Sequence, residues 1–208
     1  MLGNIKFLKR GGNHLPPKIK ITDEDIMNAA IQLVRDKGIE CLNARDLAKE
    51  IGCSVHPIFR VYTSMDGLKL AVYKLAEDIY NTRMFEAGEN SKDGFLAMGL
   101  TYIEFAKSEK NLFKLLFMTD AFKENSLMEI VGSTQGDDEV IGMICQMTGL
   151  STEAGRELYA GIWLTTHGIA AMFATNSCKF KDEEIRRLLN NSFMGLVMKL
   201  KKEENENQ

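Results

Sequence analysis

From Ile19 to the C-terminus the chain contains one proline, Pro57; the other two, Pro16 and Pro17, lie in the first eighteen residues. Proline breaks helices because it lacks an N–H and its ring strikes the carbonyl four residues back. A stretch this long with one such breaker, rich in Leu, Met, Ala, Glu and Lys, favours helix. No segment shows the strict apolar–polar alternation of a half-buried strand. The fold class expected is all-α.

Local signals divide the N-terminal third into short helices. Thr22, followed by Asp23, Glu24 and Asp25, announces the first, because a hydroxyl caps free N–H groups and acids suit the positive end of the dipole. Ile26, Ala29, Ala30, Leu33 and Val34 then form one face. Gly38 is placed to take a left-handed C′ position. Asn43 caps a second helix with Ala44, Leu47, Ala48 and Ile51 buried, and Gly52 ends it. Ser54 is read as the cap of a third. Two short helices joined by about three residues that include a glycine read as a helix-turn-helix.

The isolated proline fits this reading. With Ser54 as cap, Pro57 occupies the third helical position, where its missing N–H has no intrahelical partner anyway. Ile58, Val61 and Tyr62 are spaced i, i+3, i+4, with at least Ile58 and Tyr62 packing on the first two helices, which leaves Val55, His56, Phe59 and Arg60 on or near the outer side. Such a set suits a major groove: Arg60 for guanine or phosphate, Val55 and Pro57 for thymine methyls, His56 for a base edge. Thr63 and Ser64 open a long fourth helix over about residues 66–87, ended at Gly88.

Charge points the same way. Residues 1–75 hold 12 Lys and Arg against 8 Asp and Glu, a net of +4; residues 76–208 hold 14 against 21, a net of −7. A basic segment joined to an acidic one implies a polyanion partner at the N-terminal end. No apolar run approaches the ~18 residues of a membrane span, and the basic N-terminus lacks the apolar core of a signal peptide. Cys41, Cys53, Cys145 and Cys178 are scattered, with no metal-ligand spacing. A reduced, cytoplasmic protein without a cofactor is expected.

The run N-A-R-D-L-A-K-E-I-G-C-S-V-H-P-I-F-R-V-Y-T-S-M-D-G-L, from Asn43 to Leu68, resembles the TetR/AcrR family of transcriptional regulators. The likeness extends from about Thr22 to Leu75. Asn43, Asp46, Leu47, Ala48, Gly52, Ser54, Phe59, Tyr62, Ser64 and Leu68 fill the family's positions. Phe59 stands where tyrosine is usual, and Met65 where a phosphate-binding lysine is usual. Residues 1–18, with Lys6, Lys9, Arg10, Lys18 and the pair Pro16-Pro17, read as a flexible tail; the resemblance implies a DNA-binding domain over 19–75 and a ligand-binding and dimerisation domain over 76–204. It implies a ligand-responsive repressor that binds a palindromic operator as a homodimer. The DNA-contacting residues would be Asn43, Arg45, Ser54, Val55, His56, Pro57, Phe59, Arg60 and Thr63.

Five more helices are legible. Phe95, Met98, Tyr102, Phe105 and Ala106 mark one, and residues 111–118 form a short apolar piece. A polar stretch over 119–139 carries Phe122, Leu127, Met128 and Val131, and residues 140–147 are apolar again. Residues 151–177 and 182–202 form two long helices, the first rich in Gly and Ala, the second apolar on one face for five turns. Such a pair suits a four-helix interface between two subunits. Tyr102 to Phe117, with W-L-T-T-H-G-I-A from Trp163 to Ala170, resembles the WHG type of C-terminal domain in that family. Trp163 and His167 share a face. With Tyr102, Phe105, Phe117, Met118 and Met143 they would line a pocket for a small, apolar effector.

Two other readings remain open at this point. Phe59 and Met65 also suit a ligand- or partner-binding module of the same fold that has lost specific DNA binding. An enzyme would need a nucleophile, base and orienting group in register, and the sequence supplies no such set; the protein is not expected to be an enzyme.

Overall fold

The structure, a computed structural model, describes residues 21–89, 91, 94–119 and 136–206. Among these residues it holds nine α-helices and no strand, so the fold is all-α. They are α1 (Asp23–Lys37), α2 (Ala44–Ile51), α3 (His56–Val61), α4 (Met65–Glu89), α5 (Gly94–Ser108), α6 (Lys110–Phe117), α7 (Asp137–Thr148), α8 (Thr152–Ala174) and α9 (Asp182–Glu206). The proposed tail and the residues Phe122, Leu127, Met128 and Val131 lie outside the described residues.

Helix starts follow their caps. Thr22 and Asp25 form a reciprocal capping box: the Asp25 N–H donates to Thr22 Oγ1 at 3.1 Å and the Thr22 N–H donates to Asp25 Oδ2 at 2.9 Å. That donation holds the Asp25 carboxyl below its usual range. Ser151 Oγ accepts from the Ala154 N–H at 3.2 Å at the head of α8. At the C-terminal end of α1, Gly38 departs from expectation. Its φ is positive, at 86°, but its ψ of 163° is extended rather than left-handed. That geometry leads the chain into a 3-10 turn at Ile39–Cys41.

Other helix ends differ from the sequence reading. α4 runs through Gly88 to Glu89, and the last helix, read over 182–202, is helical to Glu206. Ion pairs at i, i+4 join Lys199 to Glu203 and Lys202 to Glu206, and Glu204 accepts the Ser151 N–H at 3.0 Å. The last of these contacts binds the final turns to the head of α8.

The main core is continuous from α1 to α6 and takes in one side of α8 and α9. Ile26, Val34, Leu47, Ile58, Leu68, Val72 and Ala76 are fully buried. A second cluster joins Ile144 and Leu150 to Leu158, Val197 and Leu200 of α8 and α9. Glycines on α8 allow close approach inside this one chain: a Cβ on Gly155 would lie 2.3 Å from Cys145 Sγ, and one on Gly161 would lie 2.7 Å from Leu196 Cδ1.

One polar cluster joins the N-terminal helices to the rest. Glu109, at the α5–α6 junction, accepts from Arg35 Nε of α1 at 3.0 Å and from Arg83 Nη2 of α4 at 2.9 Å. Asn111 Nδ2 donates to the Arg35 carbonyl at 2.8 Å. Removing Glu109 leaves two guanidinium groups without their shared anion. Glu109→Ala should cost about 2 kcal/mol of unfolding free energy, with Arg35→Ala costing less because Arg83 still holds the carboxylate. Urea unfolding of the two variants measures both values.

Candidate nucleic-acid interface and effector site

Asn43 has its polar groups engaged at the start of α2. Its Oδ1 accepts the Arg45 and Asp46 N–H groups at 3.1 and 3.0 Å, and its Nδ2 donates to Asp46 Oδ2 at 2.7 Å. Gly52 adopts φ 75°, ψ 33° and donates to the Ala48 and Lys49 carbonyls, a left-handed stop that a side chain would strain. The chain then turns, and Ile58 anchors α3 in the core.

Ser54 is not the cap of α3. Val55 already has helical backbone angles and is the N-cap, and no side chain caps the helix. Pro57 is therefore the second helical residue rather than the third. The ring's clash partner is still the Cys53 carbonyl, outside the helix, so the proline is tolerated. Ser54 is exposed beside this turn.

The outer surface of α3 differs in composition from the sequence reading. His56, Phe59 and Arg60 are exposed, and Phe59 keeps 45% of its surface open. Val61, which shares the spacing of Ile58 and Tyr62, is exposed, whereas Val55, expected outside, is half-buried and packs on the core. With helical angles at Val55, that residue lies three before the buried Ile58 and on the same face. Pro57 is half-buried; Arg45 and Thr63 are exposed.

Two contacts fix α3 against α1. Arg60 Nη2 donates to the Ile21 carbonyl at 3.1 Å. The Tyr62 hydroxyl donates to Asp23 Oδ1. Burial, then the Asp23 carboxylate, push the Tyr62 phenol up to about 12, so it remains a donor at neutral pH. Ser64 Oγ accepts the Gly67 N–H at 3.1 Å at the head of α4, and Met65 is its first residue.

The residues read as an effector pocket separate into two groups. Tyr102, Phe105, Phe117, Trp163 and His167 come together. The Tyr102 hydroxyl and His167 Nδ1 are 2.9 Å apart, and the Trp163 and His167 rings stack at 4.9 Å and 7°. Phe113 stacks on the other side of His167 at 5.8 Å, and Tyr80 meets Tyr102, Phe105 and Phe117 edge-on. Sequence reasoning missed Phe113 and Tyr80, although Phe113 lies at i, i+4 from Phe117. The rings occupy the space they face. Met118 and Met143 do not join them: both turn outward, with 44% and 45% of their surfaces exposed, and on α7 it is Ile141, Ile144 and Thr148 that are buried, which leaves Met143 outside.

Burial holds the His167 imidazole below its usual range and raises the Tyr102 phenol far above its own. A histidine with a depressed folded value stabilises the fold fully above its unfolded value and loses that contribution as pH falls through the interval below it. Stability should therefore decline from pH 7 to pH 5, and His167→Asn should flatten that decline. The fluorescence of Trp163, the chain's one tryptophan, reports the unfolding midpoints.

Neither protein-family models nor curated proteins match the chain. Among solved structures, the chain is similar to a variant of TetR from Acinetobacter baumannii AYE, determined in complex with minocycline. The two share 15% sequence identity, and the alignment covers 91% of this chain and 99% of the other at a TM-score of 0.51. The likeness shows that this chain has a TetR-like fold.

Proposed function

We propose that the protein is a ligand-responsive DNA-binding regulator with a C-terminal domain of the WHG type, acting as a homodimeric repressor in the cytoplasm. Residues 19–75 hold the DNA and residues 76–204 hold the effector and the dimer contact. The observation that carries this reading is α3. It is anchored through Ile58 while His56, Phe59, Arg60 and Val61 stand in solvent. Arg45 and Thr63, at the neighbouring helix starts, are exposed as well. Exposed apolar and cationic groups together on a short helix suit base edges, thymine methyls and phosphate.

The dimer reading rests on α8 and α9, where Leu164, Met172, Leu188, Met194 and Met198 are exposed. Reading a two-fold operator requires two such units, with their α3 helices about one duplex turn apart. The effector reading rests on the fold shared with a protein that was determined with minocycline.

A second reading has its own support. Arg60 is already bound to the Ile21 carbonyl, and Met65 gives the head of α4 no cation. On that reading the protein binds a ligand or partner and no specific DNA.

Gel shifts on DNA flanking the gene separate the two. A regulator shows salt-sensitive, sequence-selective binding, and Arg60→Ala weakens it tenfold or more. A module without DNA function binds no sequence selectively and is unchanged by Arg60→Ala. On the regulator reading, Met65→Lys should raise DNA affinity across sequences and steepen the log–log salt slope by about 1.

A further inference from the structure

A crevice of about 380 Å³ lies beside the aromatic cluster, not within it. Phe95 and Gly99 of α5, Ile162 and Thr166 of α8, and Leu189 and Phe193 of α9 form its walls. Met147, Asn190 and Met194, all exposed, also border it. None of its lining residues carries a charge. On α8, Ile162 and Thr166 form a ridge one residue out of step with Trp163 and His167, so adjacent faces of one helix serve the crevice and the ring cluster.

Thr166 is the informative residue. It is only 6% exposed. Buried threonines on helices ordinarily satisfy their hydroxyls on the carbonyl four residues back. Buried Thr148 does so, donating to the Ile144 carbonyl at 2.7 Å, as do half-buried Thr165 and exposed Thr175, to the Gly161 and Ala171 carbonyls at 2.9 and 2.8 Å. Among the described residues, the Thr166 hydroxyl meets no such partner. No fully enclosed side-chain polar atom is orphaned, so this hydroxyl is open to the crevice it lines. An occupant of the crevice can take a hydrogen bond from this hydroxyl in place of water.

We propose that the crevice binds a neutral, mostly apolar small molecule whose single hydroxyl or carbonyl oxygen accepts a hydrogen bond from Thr166 Oγ1. This deepens the effector reading above and moves the effector from the aromatic cluster to the crevice. A charged headgroup is disfavoured, because no lining residue could neutralise it inside an apolar wall. Gly99 controls the available space. A Cβ there would lie 3.8 Å from both Thr166 Oγ1 and Leu189 Cδ1, an ordinary contact, so a longer side chain would project into the void.

The test uses the full chain and no DNA, so failure of the DNA-binding reading leaves it intact. N-phenyl-1-naphthylamine, a neutral fluorescent probe, is titrated into the protein and displaced with 1-decanol, decanoate or decane. Probe binding is expected, with 1-decanol displacing it at least tenfold more effectively than decanoate and more effectively than decane. Thr166→Val should weaken 1-decanol three- to tenfold and leave the probe within twofold. Gly99→Leu should abolish binding of both. If circular dichroism shows Gly99→Leu unfolded, the near-isosteric Thr166→Val decides alone. Absence of probe binding to the unaltered protein overturns the proposal. So does a preference for decanoate, or 1-decanol affinity unchanged by Thr166→Val.

Discussion

The carboxylate of Glu109 holds the N-terminal helices in register with the rest of the bundle. It faces guanidinium groups from two directions, Arg35 on α1 and Arg83 on α4. Two cations that close would repel without a shared anion, and a mostly buried anion would be costly without both cations. The arrangement therefore sets position more than it adds stability. The Asn111 amide hydrogen-bonds the carbonyl of the same Arg35, so backbone and side chain of the last turn of α1 are both held from the α5–α6 junction. Hydrophobic burial along α4 supplies the binding energy; it is non-directional and would tolerate a rotated α1.

What the sequence made legible was whatever local chemistry decides. The Thr22 and Asn43 caps, the left-handed Gly52 and the inward Ile58 depend on neighbours within four residues, and those neighbours are in the sequence. Legibility failed where tertiary contact overrides a local signal. Gly88 reads as a stop, but α4 continues past it. The last helix reads as ending at 202, but Glu204 accepts the Ser151 N–H from the head of another helix, and helix continues to Glu206. Ser54 is a better cap than valine by type, yet the backbone enters helical geometry at Val55. That geometry sets Val55 three residues before the buried Ile58, on the face turned to the core.

The candidate site was legible to a different degree. The i, i+4 spacing of Trp163 and His167 places them on one face of α8, and the structure stacks them. Periodicity identifies a face; it does not say whether the space opposite is empty. Here Tyr80, Phe113 and Phe117 fill it, drawn from helices distant in the sequence. The void lies one residue round the helix, at Thr166, where a sequence shows only a small polar residue beside another. The unpaired hydroxyl that distinguishes Thr166 from Thr165 is a fact of packing.

The crevice and the Glu109 cluster share one helix. Phe95 and Gly99 lie in the first half of α5, and Glu109 follows its last residue, Ser108. Between them Tyr102, Ile103, Phe105 and Ala106 are buried, so this part of α5 is packed on its inner side and cannot bend freely. An occupant that parts α5 from α8 at Gly99 must therefore displace α5 largely as a rigid body. The far end of that body carries the anion that positions α1 and α4. A ligand shifts such an equilibrium only by its differential affinity for the two arrangements. A hydrogen bond from Thr166 to an occupant would supply that difference if a second arrangement moved α5 and α8 relative to each other at Gly99.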